Sequence, residues 1–349
     1  MKTVSVNGRK GKIFKRPPIK QVVVQNQPIT LGGATNPIKE AFPLGEGYYK
    51  MKIVFKNTLT VGTGTTPIAN ALAKILKNLK IKTSADGVIM DASGVSFQRR
   101  LQRQIRTAAR MSTLAASNGT YYFDLDIMFY NPELRRPEDT ILNTARYKSL
   151  ELVITYGTVA DLLGTVGTAS LAVTADVYIY KSDLNVTPSN APNAIPYFVD
   201  LPTKLFQAAD SYIEIDKNED LAIFNILTGL SDNTGTAGIP WSGVEQNVPE
   251  SLWTIEDNSH PFLFDRISME AMVSDVVHER SLEAPGAGTM CFNMIDDKST
   301  LSALASGDKS KLRVKWDRNG SASTYLVTAS IDGIKKLDNP EFGVMIVEG

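Results

Sequence analysis

The two halves of this sequence each end in two predicted strands, and the two endings are similar. Residues 148–153 and then 172–177 close the first half of the chain, and residues 311–315 and then 325–331 close the second half. Each pair follows a helical segment and a gap, and is rich in the β-branched and apolar residues that favour strands. This repetition predicts a duplicated β-sandwich.

Strict alternation is clearest in residues 121–130, where aromatic and aliphatic side chains fall on one face and Asp124 and Asp126 fall on the other. We interpret that second face as solvated. Further strands are predicted at residues 21–24, 47–57, 79–83, 88–90, 147–156, 171–180, 212–215, 220–227, 251–255, 262–264, 289–295, 312–316 and 325–331. Helical spacing of apolar residues predicts helices at 67–79, 97–116 and 266–279.

A proline-rich segment separates the two halves. Residues 185–202 contain four prolines, which cannot donate to a sheet ladder, and this favours a connector. With 349 residues the chain is long enough for two domains. We therefore predict an N-terminal arm with a lead-in strand at 1–44, sandwiches at 45–184 and 203–335 joined by a linker at 185–202, and a tail at 336–349.

The N-terminal arm is basic, although the whole chain is neutral, with 37 Lys and Arg against 37 Asp and Glu. The first 39 residues contain eight Lys or Arg and no acid. Candidate interaction residues in the arm are Lys2, Arg9, Lys10, Lys12, Lys15, Arg16 and Lys20. The arm is either a solvated terminus or a segment that reaches a neighbouring subunit or an anionic surface, such as nucleic acid or lipid headgroups.

The predicted helix at 97–116 carries a second basic patch. Arg99, Arg103, Arg106 and Arg110 share one face, away from the apolar face that begins at Phe97. Three interpretations remain open: a solvated amphipathic helix, salt bridges across a subunit interface, or contact with an anionic surface.

Residues able to carry catalysis are scarce. The chain has one cysteine, Cys291, and two histidines, His260 and His278, none of them at metal-ligand or triad spacing from a partner. Cys291 lies in an apolar run and is interpreted as a packing residue. We expect no enzyme activity, no cofactor and no metal site.

The order of elements resembles that of a known family. A basic arm precedes the strand at 47–55, helical inserts interrupt the first sandwich before the strand at 121–127, and a proline-rich linker leads to a second sandwich. This is similar to the double jelly-roll major capsid proteins of tailless icosahedral viruses, the lineage of membrane-containing bacteriophages and adenoviruses.

The resemblance implies a mainly β fold with two eight-stranded antiparallel jelly-roll sandwiches in tandem and a few inserted helices. It further implies a structural subunit that forms pseudo-hexameric homotrimers and tiles an icosahedral shell, without catalytic residues. Implied partners are neighbouring capsomers, minor capsid proteins, and an internal membrane or the genome, reached through the arm. The implied location is the virion, after synthesis in the host cytoplasm.

Two other classes of protein agree less well with the sequence. A β-sandwich module that binds a receptor or a carbohydrate would display clustered aromatic residues, whereas Trp241, Trp253 and Trp316 are scattered along the sequence. An enzyme of the cupin type would need a His and Glu metal set, which two isolated histidines do not supply.

Overall fold

The computed structural model describes the chain in two compact units. Unit 1 comprises Met1–Met90, Arg110–Pro132 and Arg136–Pro196, and unit 2 comprises Asp91–Ala109, Glu133–Arg135 and Tyr197–Gly349. The described residues are 4–6, 9–11, 19–39, 41–62, 65–68, 70–105, 111–129, 141–182, 194–206, 211–216, 221–232, 252–257, 260–261, 265–268, 271, 289–293, 304–305, 311–317 and 324–336.

The strands of unit 1 and its short helix come first in the chain. They are β1 (Val4–Val6), β2 (Arg9–Gly11), β3 (Ile19–Pro28), β4 (Thr35–Ile38), β5 (Gly47–Thr60), β6 (Thr66–Pro67), α1 (Ala71–Lys74), β7 (Leu76–Thr83), β8 (Gly87–Ala92), β9 (Gly119–Met128), β10 (Leu142–Asn143), β11 (Leu150–Tyr156), β12 (Leu163–Thr165) and β13 (Ser170–Ser182).

Eight of these strands form an antiparallel jelly roll. One sheet has the order β3-β13-β5-β9, and the other has the order β4-β11-β7-β8. Counted along the chain, these are strands 1-8-3-6 and 2-7-4-5, which is the connectivity of a jelly roll. The core between the sheets includes the rings of Phe55, Phe123 and Tyr156, with the Phe55 centroid 5.2 Å from that of Tyr156.

Unit 2 contains a helix and the later strands, the first of which begins in the last three residues of unit 1. They are α2 (Gly94–Ile105), β14 (Ala194–Asp200), β15 (Lys204–Phe206), β16 (Ser211–Asp216), β17 (Leu221–Asp232), β18 (Leu252–Asp257), β19 (His260–Pro261), β20 (Ile267–Ser268), β21 (Thr289–Asn293), β22 (Leu304–Ala305), β23 (Lys311–Asp317) and β24 (Tyr325–Lys336). The helix comes from the sequence between β8 and β9, so unit 2 is discontinuous along the chain.

The strands of unit 2 repeat the jelly-roll connectivity. One sheet has the order β14-β24-β17-β21, and the other has the order β16-β23-β18 with the short strands β19 and β20 beside β18. The strand pair β11 and β13 closes the first roll and β23 and β24 close the second, as the repeated pattern predicts. Trp253 and Trp316 face each other across β18 and β23, with ring centroids 5.1 Å apart, and are fully buried in the second core.

The predicted helix at 67–79 is wrong over most of its length. The helix α1 has four residues, and Leu76 already begins β7. A register shift opposite Thr155 and Tyr156 inserts an extra residue into β7, so that Leu76 and Leu79 are both buried. A bulge in a strand therefore produced the three-residue spacing that favours a helix.

The other two predicted helices also differ from the structure. The helix α2 begins before residue 97, with the Ser93 side chain accepting a hydrogen bond from the Ser96 amide, and Met111 already bridges to Phe123 as extended chain. Of the predicted helix at 266–279, Ile267–Ser268 is a strand paired with β18, and residues 272–279 lie outside the described residues.

The predicted linker and arm contain strands. Within 185–202 the chain forms β14, which opens the second jelly roll, and within 1–44 it forms β3 and β4, which belong to the sheets of the first. Pro196 lies in β14 beside the change of unit. The predicted strand at 262–264 and the tail at 337–349 lie outside the described residues.

Candidate interaction surfaces

The helix α2 packs on the outer face of the sheet that contains β17 and β24. Side chains alternate along β24, so Val327, Ala329 and Ile331 face the core of unit 2. Thr328, Ser330 and Asp332 therefore face outward. Outward positions of a surface sheet are ordinarily solvated, but Ser330 and Asp332 are buried.

A buried ion pair holds the helix to this face. The Arg100 Nε donates to Asp332 Oδ1 at 2.9 Å, and the two side chains are only 5% and 2% exposed. The second oxygen, Asp332 Oδ2, accepts from the side-chain Nδ2 of Asn225 on β17 at 3.5 Å. The guanidinium of Arg100 also lies 5.0 Å from the ring centroid of Phe198, which packs edge-on against Phe97.

Arg99 and Asp200 extend the polar contacts. Arg99 donates to Thr328 Oγ1 at 3.1 Å and lies against Gly229, where a Cβ atom would collide with its guanidinium. Burial lowers the pKa of Arg99 to about 10, with the charge of Asp200 acting in the opposite direction. Asp200 accepts from the Ser330 hydroxyl at 2.6 Å and from the Ser93 amide at 2.8 Å. The polar groups between helix and sheet are thus matched in charge and hydrogen bonding.

The four arginines of the predicted basic helix face are not brought together at one described surface. Arg99 contacts the sheet of its own unit, Arg103 lies in α2, and Arg106 and Arg110 lie outside the described residues. The sequence interpretation missed Arg100. The sequence clue to Arg100 was its position three residues after Phe97, because that spacing places it beside the apolar face of the helix.

Unit 1 carries a row of salt bridges on the outer face of the sheet β3-β13-β5-β9. Along β5 the residues Met51, Ile53 and Phe55 are buried, and the alternate positions, which include three lysines, point outward. Three ion pairs result: Lys50 Nζ–Asp126 Oδ2 at 3.3 Å, Lys52 Nζ–Asp124 Oδ2 at 2.7 Å and Lys56 Nζ–Asp176 Oδ2 at 2.7 Å.

We call this surface the ladder face. Its outward residues are Lys20, Val22, Lys50, Lys52, Val54, Lys56, Tyr122, Asp124, Asp126, Thr174, Asp176, Tyr178 and Tyr180. Lys50 lies 4.3 Å from the ring centroid of Tyr180, and Lys20 lies 4.1 Å from that of Tyr178. Val22 and Tyr122 at its margins are 50% and 46% exposed. The face therefore carries four lysines against three aspartates and is partly aromatic.

Asp176 has the most contacts on the ladder face. Burial raises its pKa, but hydrogen bonds from the Asn26 amide, at 2.7 Å, and from Lys56 outweigh burial and hold the pKa below its ordinary value. The solvated interpretation of Asp124 and Asp126 needs correction, because both are paired and Asp126 is buried.

The basic arm is described only in part. Arg9 and Lys10 lie in β2, which pairs with β1, and Lys20 lies on the exposed part of β3. Lys2, Lys12, Lys15 and Arg16 lie outside the described residues. In the part of the chain that the structure describes, no three His, Cys, Asp or Glu side chains are grouped as a metal site. No described helix is both long enough and apolar enough to cross a membrane.

Comparison with known proteins identifies the class of fold. No protein-family model matches the sequence, and a search of curated proteins finds no match. Solved structures match over nearly the whole chain, and they place it among proteins with the double jelly-roll fold.

Three of these structures illustrate the likeness. A chain from the structure of Sulfolobus Turreted Icosahedral Virus has a TM-score of 0.66 at 12% identity, covering 95% of this chain and 96% of that chain. The major capsid protein P2 from bacteriophage PM2 has a TM-score of 0.59 at 11% identity, covering 92% and 100%. The Faustovirus major capsid protein has a TM-score of 0.58 at 7% identity, covering 96% and 93%.

Proposed function

We propose that this chain is a major capsid protein, the structural subunit of an icosahedral viral shell. The observation that carries the proposal is the presence of two complete jelly rolls in one chain, matched end to end by the major capsid proteins of bacteriophage PM2 and Faustovirus. A binding module is less well supported, because Trp253 and Trp316 are stacked in the core and cannot present their rings to a ligand.

We further propose that the subunit forms a homotrimer. Two units with the same connectivity in each chain give six similar units in three chains, so a trimer can imitate sixfold symmetry and tile a shell. Neighbouring capsomers would then be the chain's main partners, together with minor capsid proteins. The protein would be synthesised in the host cytoplasm and end in the virion.

Electron microscopy of the purified, concentrated protein tests this function. We expect particles with a hexagonal outline, and sheets or shells at higher concentration. Mass measurement by light scattering should give three times 38.1 kDa. A stable monomer at every concentration would contradict the proposal, and so would a stable dimer.

For the basic arm we propose a role in assembly rather than in folding, through contact with an internal membrane, the genome or an adjacent capsomer. Eight basic residues without an acid in the first 39 support this. A chain lacking residues 1–18, which keeps all of β3, should retain the melting temperature of the trimer within a few degrees and be incorporated poorly into particles. An unfolded deletion variant would instead show that the arm is part of the core.

The domain limits also remain a proposal. We place the start of the first jelly roll at β3 rather than at residue 45, because β3 pairs with β13 along most of its length. We place the start of the second at β14, inside residues 185–202. Limited proteolysis that separates the two rolls should then leave β14 attached to the second roll.

A further inference from the structure

Two polar groups lie in the apolar core of unit 2 without a hydrogen-bond partner among the described residues. They are the hydroxyl of Thr228 on β17 and the indole Nε1–H of Trp253 on β18, and both residues are fully buried. A buried polar group that has lost water and gained no partner costs free energy, and most such groups in proteins are paired. Two of them in one core therefore call for a partner.

The side chain of Thr228 faces the core. Beyond the register shift in β17 the core-facing residues of this strand include Ile226 and Leu230, and Thr228 lies midway between them on the same side. Its neighbours on the adjacent strands, Met290 and Ala329, also belong to the core. Thr228 is thus directed at the opposite sheet and away from α2.

The stacked rings of Trp253 and Trp316 lie across β17. The Trp316 ring centroid is 5.3 Å from that of Tyr325 on β24, and the Trp253 ring centroid is 5.6 Å from that of Phe292 on β21. In its sheet β17 lies between β24 and β21. Because the stack contacts both flanking strands, it spans β17 from one side to the other.

Strand register gives the position of the stack along β17. Phe292 is paired with Ile226, and Tyr325 is paired with Asp232. Thr228 lies two residues from Ile226 in the direction of Asp232, which is a step of about 7 Å along a strand. The stack therefore covers the part of β17 that contains Thr228.

In unit 1 a buried polar side chain of the equivalent strand has its partners. The strand β5 takes the third place in its sheet, as β17 does, and Asn57 on β5 is fully buried. Its Oδ1 accepts from the Tyr156 hydroxyl of the opposite sheet at 2.9 Å, and its Nδ2 donates to the Tyr121 carbonyl at 3.3 Å. A polar group in the first core is thus buried together with what it bonds.

We propose that the core of unit 2 contains a binding site for one water molecule, between Thr228 and Trp253. An indole N–H can only donate, whereas a threonine hydroxyl can donate and accept. A water molecule accepts from Trp253 Nε1 and donates to Thr228 Oγ1, so each group gains the partner that it needs. Buried water occupies polar sites of this kind, and an apolar ligand would leave both groups unpaired.

Replacing Thr228 by valine tests the site, because valine has a similar shape and no hydroxyl. With the water bound, Thr228→Val removes one of its partners and should raise the unfolding equilibrium constant of unit 2 by about fivefold or more, measured by tryptophan fluorescence in urea. Thr254→Val is the matched control. Thr254 is also buried in unit 2, and its Oγ1 accepts from the Arg266 amide at 3.1 Å, so this variant gives the loss expected for a hydroxyl that has a partner.

A crystal structure of the wild-type protein, at a resolution that shows ordered water, is the second measurement. We expect water density within hydrogen-bond distance of both Trp253 Nε1 and Thr228 Oγ1. A Thr228→Val variant as stable as wild type or more stable would overturn the proposal, because an unpaired hydroxyl is better removed than kept. The absence of water density between the two groups would also overturn it, and that measurement decides even where Thr228→Val does not fold.

Discussion

Replacing Asp332 by leucine should destabilise unit 2 by about 3–5 kcal/mol, the usual cost of breaking a buried ion pair on one side. The change leaves the guanidinium of Arg100 buried beneath α2 without its carboxylate, and it also removes the acceptor of Asn225. Arg100→Met leaves the carboxylate of Asp332 buried without its cation, so it should cost a similar amount.

The paired replacement should behave differently from the sum of the single changes. When Arg100→Met and Asp332→Leu are combined, no charge is left buried, and the variant should be close to wild type or more stable. Because each single change costs about 3–5 kcal/mol, the double-mutant cycle should give a coupling free energy of about 6–10 kcal/mol in magnitude. Lys311→Ala, which breaks an exposed pair with Glu214 in the same unit, should leave the unfolding midpoint unchanged.

Tryptophan fluorescence during urea unfolding is the appropriate assay. All three tryptophans of the chain belong to unit 2, and Trp253 and Trp316 are stacked in its core, so the signal follows that unit alone. Single variants that each lose less than 1 kcal/mol, with a coupling near zero, would refute the buried pair as the attachment of α2.

The remaining predictions concern the core of unit 2, tested by packing, and the ladder face of unit 1, tested by pH. Trp316→Ala should cost unit 2 about 3–5 kcal/mol in urea unfolding, because the ring is fully buried and stacked on Trp253; a loss below 1 kcal/mol would mean that the core collapses around the gap. The folded pKa of Asp176 is depressed, so its contribution to stability is complete above the unfolded value of about 3.9 and is lost as the pH falls through the folded pKa. Asp176→Asn should therefore melt at a lower temperature than wild type at pH 7 and approach wild type near pH 2, and a gap in melting temperature of the same size at both pH values would contradict this.

Positions on regular strands were predictable from local sequence. The sequence places Leu150, Leu152 and Ile154 on one side of a strand, and the structure confirms that all three are buried in the first core. The same holds for the alternation of β23 in the second core. The alternation of side chains along a strand is visible in neighbouring residues, so it can be predicted without knowledge of the fold.

Contacts that depend on strand register were not predictable in this way. Asp126 and Lys50 are 76 residues apart in sequence, and only the antiparallel pairing of β5 with β9 brings them together. The same limit explains Leu76, whose spacing from Leu79 is set by a bulge opposite β11. The contact of Arg100 with Asp332 is harder still to predict, because the two residues are 232 positions apart in the chain.

That separation of 232 residues has a consequence for the timing of synthesis. At about 5–20 residues per second, a ribosome makes α2 about 12–46 s before it makes the carboxylate of Asp332. Until then Arg99 and Arg100 have no finished sheet to contact, and unit 2 cannot close. Only a chain translated through β24 can bury this helix, so an interrupted product keeps it exposed to chaperones and proteases. Because unit 2 is discontinuous, its folding can finish only after β24 has been translated.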